Sequence, residues 1–280
     1  MSQFAPPSGG GAALVTGAAQ GIGLALATAL AADAWRVVLS DVDGDKVTAA
    51  AARLPGARGL TLDVTDPDAV EEAVAGVESA EPLRLLINNA GVVGRGADRG
   101  VYPLPEWNRL VAVNLMGVVH GVNAAYPRMR RRRSGVILNV ASLAGLVPGP
   151  GLGPYAATKH AVVGLTLGLR ADAAPFGVRV SALCPGWVDT AILDAEAPDG
   201  TPVRAHLTEF GLGQPVPPAE IARLALAGLR RNRPLIIGPR RARQAWWTQR
   251  LVPGLLERRS RRIAGALARQ YAGTASGGTR

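Results

Sequence analysis

The sequence predicts an α/β protein built on one doubly wound parallel sheet, with helices on both faces and a helical extension at its C-terminal end. Three observations predict it. Short apolar runs alternate with segments of helical length along most of the chain. The first of these runs feeds a glycine-rich turn that opens a helix. Several later runs end in polar or glycine turns, at the strand ends where an open α/β sheet forms its binding crevice.

Taken in order, residues 1–11 form a flexible lead-in that closes on Gly9-Gly10-Gly11. Residues 12–16, wholly apolar up to Thr16, read as a strand buried on both faces. That strand runs into Thr16-Gly17-Ala18-Ala19-Gln20-Gly21-Ile22-Gly23 and then a helical run over 24–32. Strand, glycine turn and helix make the architecture of a dinucleotide site. The glycines admit the backbone close to a pyrophosphate, whose charge rests on the helix N-terminus. The spacing here is G-x-x-x-G-x-G, and glycine turns also serve as plain connectors. A second strand over 35–40 ends at Asp41. A carboxylate there can accept from adenosine ribose hydroxyls and repel a 2′-phosphate, which favours NAD over NADP. An exposed loop aspartate is the bland alternative.

A helix over 43–54, a strand over 58–62 that ends in Asp63-Val64, and a helix near 67–77 follow. The next strand, 83–87, runs into the tight polar turn Asn88-Asn89-Ala90-Gly91. Residues 106–129 read as one long helix with Asn114 among apolar neighbours, where its amide costs stability unless it is bonded. Arg130 to Arg133 close that helix and complement its dipole. A strand over 136–140 delivers Ser142, and a loop rich in Gly and Pro leads to a helix over 155–174. A strand over 178–184 ends at Pro185-Gly186, and a last strand covers 235–238.

The helix over 155–174 carries the reactive pair. Positions four apart lie on one helix face, about 5–6 Å apart at Cβ, so Tyr155 and Lys159 project side by side. A nearby ammonium favours phenolate and is expected to bring the Tyr155 pKa down from about 10. Such a phenol can exchange a proton with an alcohol or carbonyl oxygen. The bland alternative is a core Tyr beside a solvated Lys. Only Lys46 and Lys159 are lysines in a chain that otherwise uses Arg, and Lys is the residue whose pKa shifts readily.

Composition bounds the function. Hydrophobic residues make up 48% of the 280, enough for a packed core and too many for a disordered chain. The single Cys184 has no internal disulfide partner, so a reduced, cytoplasmic setting is expected. The first residues lack a basic region followed by an apolar core, and do not read as a signal peptide. Uninterrupted apolar runs stay below the roughly 18 residues of a spanning helix. No metal-ligand set is read. The net charge of +10 is concentrated: 13 arginines face one acid, Glu257, from residue 230 onward.

In their order and spacing, Thr16 to Gly23, Asn88 to Gly91, Asn114, Ser142, Tyr155, Lys159 and Pro185-Gly186 resemble the short-chain dehydrogenase/reductase family over about residues 12–238. The resemblance implies a single seven-stranded Rossmann-type domain over 12–239, with a substrate lid near 191–218. It implies cofactor contacts from Thr16, Gly17, Gln20, Gly21, Ile22 and Gly23, with Asp41 selecting NAD. Asp63 and Val64 would meet the adenine, and Asn89, Ala90 and Gly91 the adenosine side. Pro185, Gly186, Val188 and Thr190 would hold the nicotinamide carboxamide. The implied catalytic set is Asn114, Ser142, Tyr155 and Lys159. Tyr155 would be the acid/base, Ser142 the stabiliser of the substrate oxygen, and Lys159 the holder of the ribose. Asn114 would position a water. Trp187, Leu193, Leu207 and Phe210 would border an apolar substrate pocket, joined by Ser142 and Tyr155, with Arg204 or His206 as polar lid candidates. A lipophilic alcohol or ketone is the expected substrate, and a homodimer or homotetramer the expected assembly. A dinucleotide sensor or membrane-associated binding protein on the same fold is the competing class.

Beyond this core, Trp246, Trp247, Leu251, Leu255, Leu256, Ile263, Leu267 and Tyr271 recur at near-helical spacing among arginines over 240–272. Pro253-Gly254 breaks the pattern into two short helices. Three readings stay open: packing on a neighbouring subunit or over the pocket, peripheral contact with an anionic membrane, and, least favoured, nucleic-acid binding. Residues 273–280 are expected to be disordered.

Overall fold

In the computed structural model, the seven strands are β1 (Ala12–Thr16), β2 (Arg36–Asp41), β3 (Arg58–Thr61), β4 (Leu83–Asn88), β5 (Gly135–Val140), β6 (Val178–Pro185) and β7 (Leu235–Gly238). All pair in parallel, in the order β3-β2-β1-β4-β5-β6-β7. The structure describes residues 11–94, 101–147, 149–194, 204 and 214–275, with side chains described as far as 265. The predicted lid residues Leu207, Phe210 and His206, and the side chains of Leu267 and Tyr271, lie outside the described residues.

Helices cover both faces because successive strand side chains point to opposite sides and both sides are apolar. Leu14, Val38, Leu86 and Ile137 belong to one core cluster, with Val74, Val118, Val122 and Val162 from the helices. Val15, Leu39, Ile87 and Leu138 belong to the other, with Leu26, Leu30, Val47 and Ile221. The helices are α1 (Gly21–Ala32), α2 (Gly44–Ala51), α3 (Pro67–Ala80), α4 (Leu104–Val111), α5 (Gly117–Arg132), α6 (Gly153–Ala173), α7 (Pro218–Arg230), α8 (Arg240–Leu251) and α9 (Pro253–Ala275). Local signals set their starts: Asp43 caps α2 by accepting from Lys46 N–H, and Asp66 caps α3 before Pro67.

Three features depart from the sequence reading. The segment read as one helix over 106–129 is interrupted by a π turn at Ala112–Met116, and Asn114 sits at its centre. Helix α7 lies between the lid and β7, where the sequence reading names no element; its Ile221, Ala225, Leu226 and Leu229 pack against the α1 face. The tail does break at Val252, but α9 is a long helix that continues to Ala275, past the point where order was expected to end.

A buried polar ladder crosses the sheet beneath the site. Asn88 Nδ2 donates to Asn139 Oδ1 at 2.8 Å, and Asn139 Nδ2 donates to Thr166 Oγ1 on α6 at 3.0 Å. Helix α5 comes close enough to cover Asn88 only because residue 121 is Gly: a Cβ there would collide with Asn88 Oδ1. Gly121→Ala should therefore destabilise the fold by about 1–3 kcal/mol through overpacking against a buried amide. Urea unfolding checks this, and an unchanged midpoint would show that the ladder can yield.

Candidate active site

The winding of the sheet reverses between β1 and β4, and the crevice opens at the carboxyl ends of those strands. Thr16 Oγ1 accepts from Asn89 N and Ala90 N, each at 3.0 Å. In return Asn89 Nδ2 donates to the carbonyls of Thr16 and Gly17 at 2.9 Å. The glycine turn is thus tied to the turn after β4. Gly17 has φ +62°, and a Cβ there would stand 2.7 Å from Ala90 Cα, so only glycine fits.

A cleft of about 1250 Å³ runs across this end of the sheet. Its wall brings together Gly17, Gln20, Gly21, Ile22 and Asp41 at one end. Asp63, Val64, Asn89, Ala90 and Gly91 follow. Ser142, Tyr155 and Lys159 line it with Pro185, Gly186, Trp187, Val188, Thr190 and Leu193. Three predicted residues stand behind that wall. Thr16 spends its hydroxyl on the backbone lock, and a Cβ on Gly23 would strike the Gly17 carbonyl, so both support the turn without facing the cleft. Asn114 is fully buried and clamps Val92: its Oδ1 accepts from Val92 N and its Nδ2 donates to Val92 O, both at 2.8 Å. Asn114 and Lys159 still meet at Gly91, where a Cβ would lie 3.3 Å from both Asn114 Oδ1 and Lys159 Nζ.

The residues present fit a dinucleotide. Helix α1 has no side-chain cap and no acid in its first turn, so its N–H groups and dipole are left for an anion. Asp41 is held in the cleft wall by Ala19 N–H at 3.1 Å and Asp43 N–H at 3.2 Å. At the other end, Ser142 Oγ accepts from Ala144 N–H at 3.1 Å, and its own O–H is directed to the Tyr155 hydroxyl. Arg204, a lid candidate, is instead paired with Asp189 and Asp194 at 2.7 and 3.0 Å.

The electrostatics of the pair run opposite to the expectation. Burial raises the Tyr155 pKa above its ordinary value, while a hydrogen bond from Ser142 works the other way. Lys159, 3% exposed, is lowered to about 8 by desolvation. Its Nζ donates to Val140 O at 3.0 Å and sits 5.7 Å from the Tyr155 ring centroid. An amine so desolvated, and satisfied by a carbonyl, offers the phenol less positive charge than helical spacing alone suggested.

Residues 11–200 match the family described as short chain dehydrogenase. The chain belongs to that family. Relatives of this short chain dehydrogenase include 1-deoxy-11-beta-hydroxypentalenate dehydrogenase of Streptomyces exfoliatus, 41% identical over 68% of this chain and 72% of the relative. A 3-alpha-(or 20-beta)-hydroxysteroid dehydrogenase of Mycobacterium tuberculosis is 35% identical over 78% of this chain and 81% of its own length. A crystal structure of a short-chain dehydrogenase from Streptomyces avermitilis superposes with a TM-score of 0.78 at 27% identity, covering 93% of this chain and 99% of that one. Dehydrogenases of this family use nicotinamide cofactors, NAD(H) or NADP(H).

Sequence reasoning missed part of the wall. Leu143, Ala144, Val147 and Leu152 line the cleft beside Ser142, and so do residues of α8 and α9. The first group carries no motif, though adjacency to Ser142 could have flagged it.

Lys159 gives a pH signature. The unfolded chain keeps its lysine proton up to the ordinary value of 10.5, whereas the folded chain releases it near about 8. Stability therefore rises with pH across that window and is lowest below it, where the charge must be buried. In unfolding without dinucleotide, Lys159→Met should be more stable than wild type at neutral pH by up to about 3 kcal/mol. That advantage should shrink as the pH climbs through the window. A difference that stays flat would mean the amine is not desolvated.

Proposed function

We propose that this short chain dehydrogenase interconverts a secondary alcohol and a ketone, uses NAD(H) in preference to NADP(H), and acts on a lipophilic substrate. One observation carries the reading: Ser142, Tyr155 and Lys159 line the same cleft as the glycine turn and Asp41. The nicotinamide, when bound, supplies the hydride acceptor or donor. The chain supplies the proton. Tyr155, with a raised pKa, keeps its phenolic hydrogen at neutral pH and can give it to a ketone oxygen; in the reverse direction its phenolate takes the proton that the alcohol releases. Ser142, whose O–H meets the Tyr155 hydroxyl, would turn that O–H onto the same oxygen and stabilise charge developing there. Lys159 lines the cleft behind Tyr155, and its Nζ and Asn114 Oδ1 both approach Gly91.

The substrate class is supported by the apolar wall of Leu143, Ala144, Leu152, Ile192 and Leu193, and by relatives named for hydroxysteroid and hydroxypentalenate substrates. NAD preference rests on Asp41: its carboxylate, fixed by two backbone N–H groups, would face a 2′-phosphate with a like charge. A dinucleotide sensor has no use for a proton donor, and nothing in the cleft favours that reading.

Two measurements test the proposal. With NAD and a panel of secondary alcohols, NADH formation should fall at least about 100-fold in Tyr155→Phe; undiminished turnover would remove Tyr155 from the chemistry. Asp41→Ala should lower the ratio of kcat/KM for NAD over NADP by at least about tenfold, and a fixed ratio would remove Asp41 from cofactor choice.

A further inference from the structure

The C-terminal helices form the outer wall of the catalytic cleft. Helix α8 is seated on the turn after β6: buried Ala242 lies beneath Gly186, where an added Cβ would come 3.0 Å from Ala242 Cβ, and Trp246 packs on the core. This places the start of the tail beside the Pro185-Gly186 turn of the cleft. From there Arg241 on α8, and Leu256, Arg258, Arg262 and Ile263 on α9, line the same space as Ser142 and Tyr155. Arg241, Arg258 and Arg262 have no ion-pair partner among the described residues, whereas Arg204 and Arg261 are paired with acids. The acids among the described lining residues are Asp41 and Asp63, at the ends of β2 and β3. The catalytic end of the cleft is therefore apolar near the reacting groups, cationic at its rim, and without a carboxylate among the described lining residues.

Exposed guanidiniums on the wall of a largely apolar cleft, with no acid partner among the described residues, are matched by a planar anion, which each can bind with two parallel hydrogen bonds. We propose that the tail arginines select a substrate with an acidic group at the end remote from its alcohol or ketone, so that the cleft takes lipophilic hydroxy or keto acids. This rests on the alcohol/ketone reading of the cleft and narrows its substrate class. Of the tail's exposed apolar side chains, Trp247, Leu251 and Val252 are absent from the cleft wall, whereas Leu255 lines it beside the arginines.

The test uses full-length protein with NAD present and two matched pairs: lithocholate with its methyl ester, and ricinoleate with its methyl ester. Each pair has a secondary alcohol and differs only in the remote charge. Calorimetric titration should show each acid binding at least about tenfold tighter than its ester, and the preference should shrink as salt is raised. In the double variant Arg258→Gln/Arg262→Gln the acid-to-ester ratio should fall towards one, and Arg262→Glu should favour the ester. Equal affinity for acid and ester in the wild type overturns the proposal, as does a preference that the double variant keeps in full. If the double variant loses sedimentation with phosphatidylglycerol vesicles while retaining its acid preference, the arginines serve a membrane and the proposal also falls. NADH formation separates the two readings. Turnover of esters and acids alike would leave the dehydrogenase reading standing without the arginine role. An arginine-dependent acid preference with no turnover of any alcohol would sink the dehydrogenase reading instead.

Discussion

The site depends on how the sheet ends between β1 and β4. Two adjacent parallel strands whose chains leave in opposite directions expose backbone groups that the ladder no longer pairs. Thr16 and Asn89 satisfy those groups reciprocally, hydroxyl to N–H and amide to carbonyl. That lock fixes the glycine turn against the Asn89-Ala90-Gly91 turn, so the uncapped N-terminus of α1 opens onto the cleft. Both residues bond to backbone groups, which accounts for a polar pair at these two strand ends.

The end of the cleft that holds Tyr155 and Lys159 is organised by burial. Lys159 lies almost wholly out of water with one carbonyl acceptor, and its lowered pKa follows from that environment. Tyr155 feels the same desolvation in the opposite sense, so its proton is held more tightly. The Asn139 and Thr166 hydrogen bond ties β5 to α6 deeper in the same face, which keeps the helix carrying both residues in register with the strand that delivers Ser142. Apolar packing sets the distances, and the few buried hydrogen bonds set the register.

Much of the site was legible in the chain. Asp41, Ser142, Tyr155, Lys159 and the two glycine turns each sit at a strand end or on a helix face that local pattern identifies, and all line the cleft. The π turn at Asn114 was hidden because a helix with one extra residue in a turn keeps nearly the same apolar spacing. Helix α7 carries a proline start and helical apolar spacing, but it lies between the lid and β7, where the sequence reading names no element. The roles of Thr16 and Gly23 could not be separated from those of Gly17 and Gly21 by spacing, since all four occupy one turn.

By itself, the sequence determined the alternation of strands and helices, because both faces of the sheet must be apolar, and it determined which residues stand at strand ends. It also determined that Tyr155 and Lys159 share a helix face. Only the tertiary structure decided their electrostatics, since desolvation depends on what packs around a group and not on its neighbours in sequence. The tertiary structure also decided where the arginine tail goes. Helical periodicity shows that a segment has an apolar face, but the surface that face meets is set by the chain's return to the turn after β6.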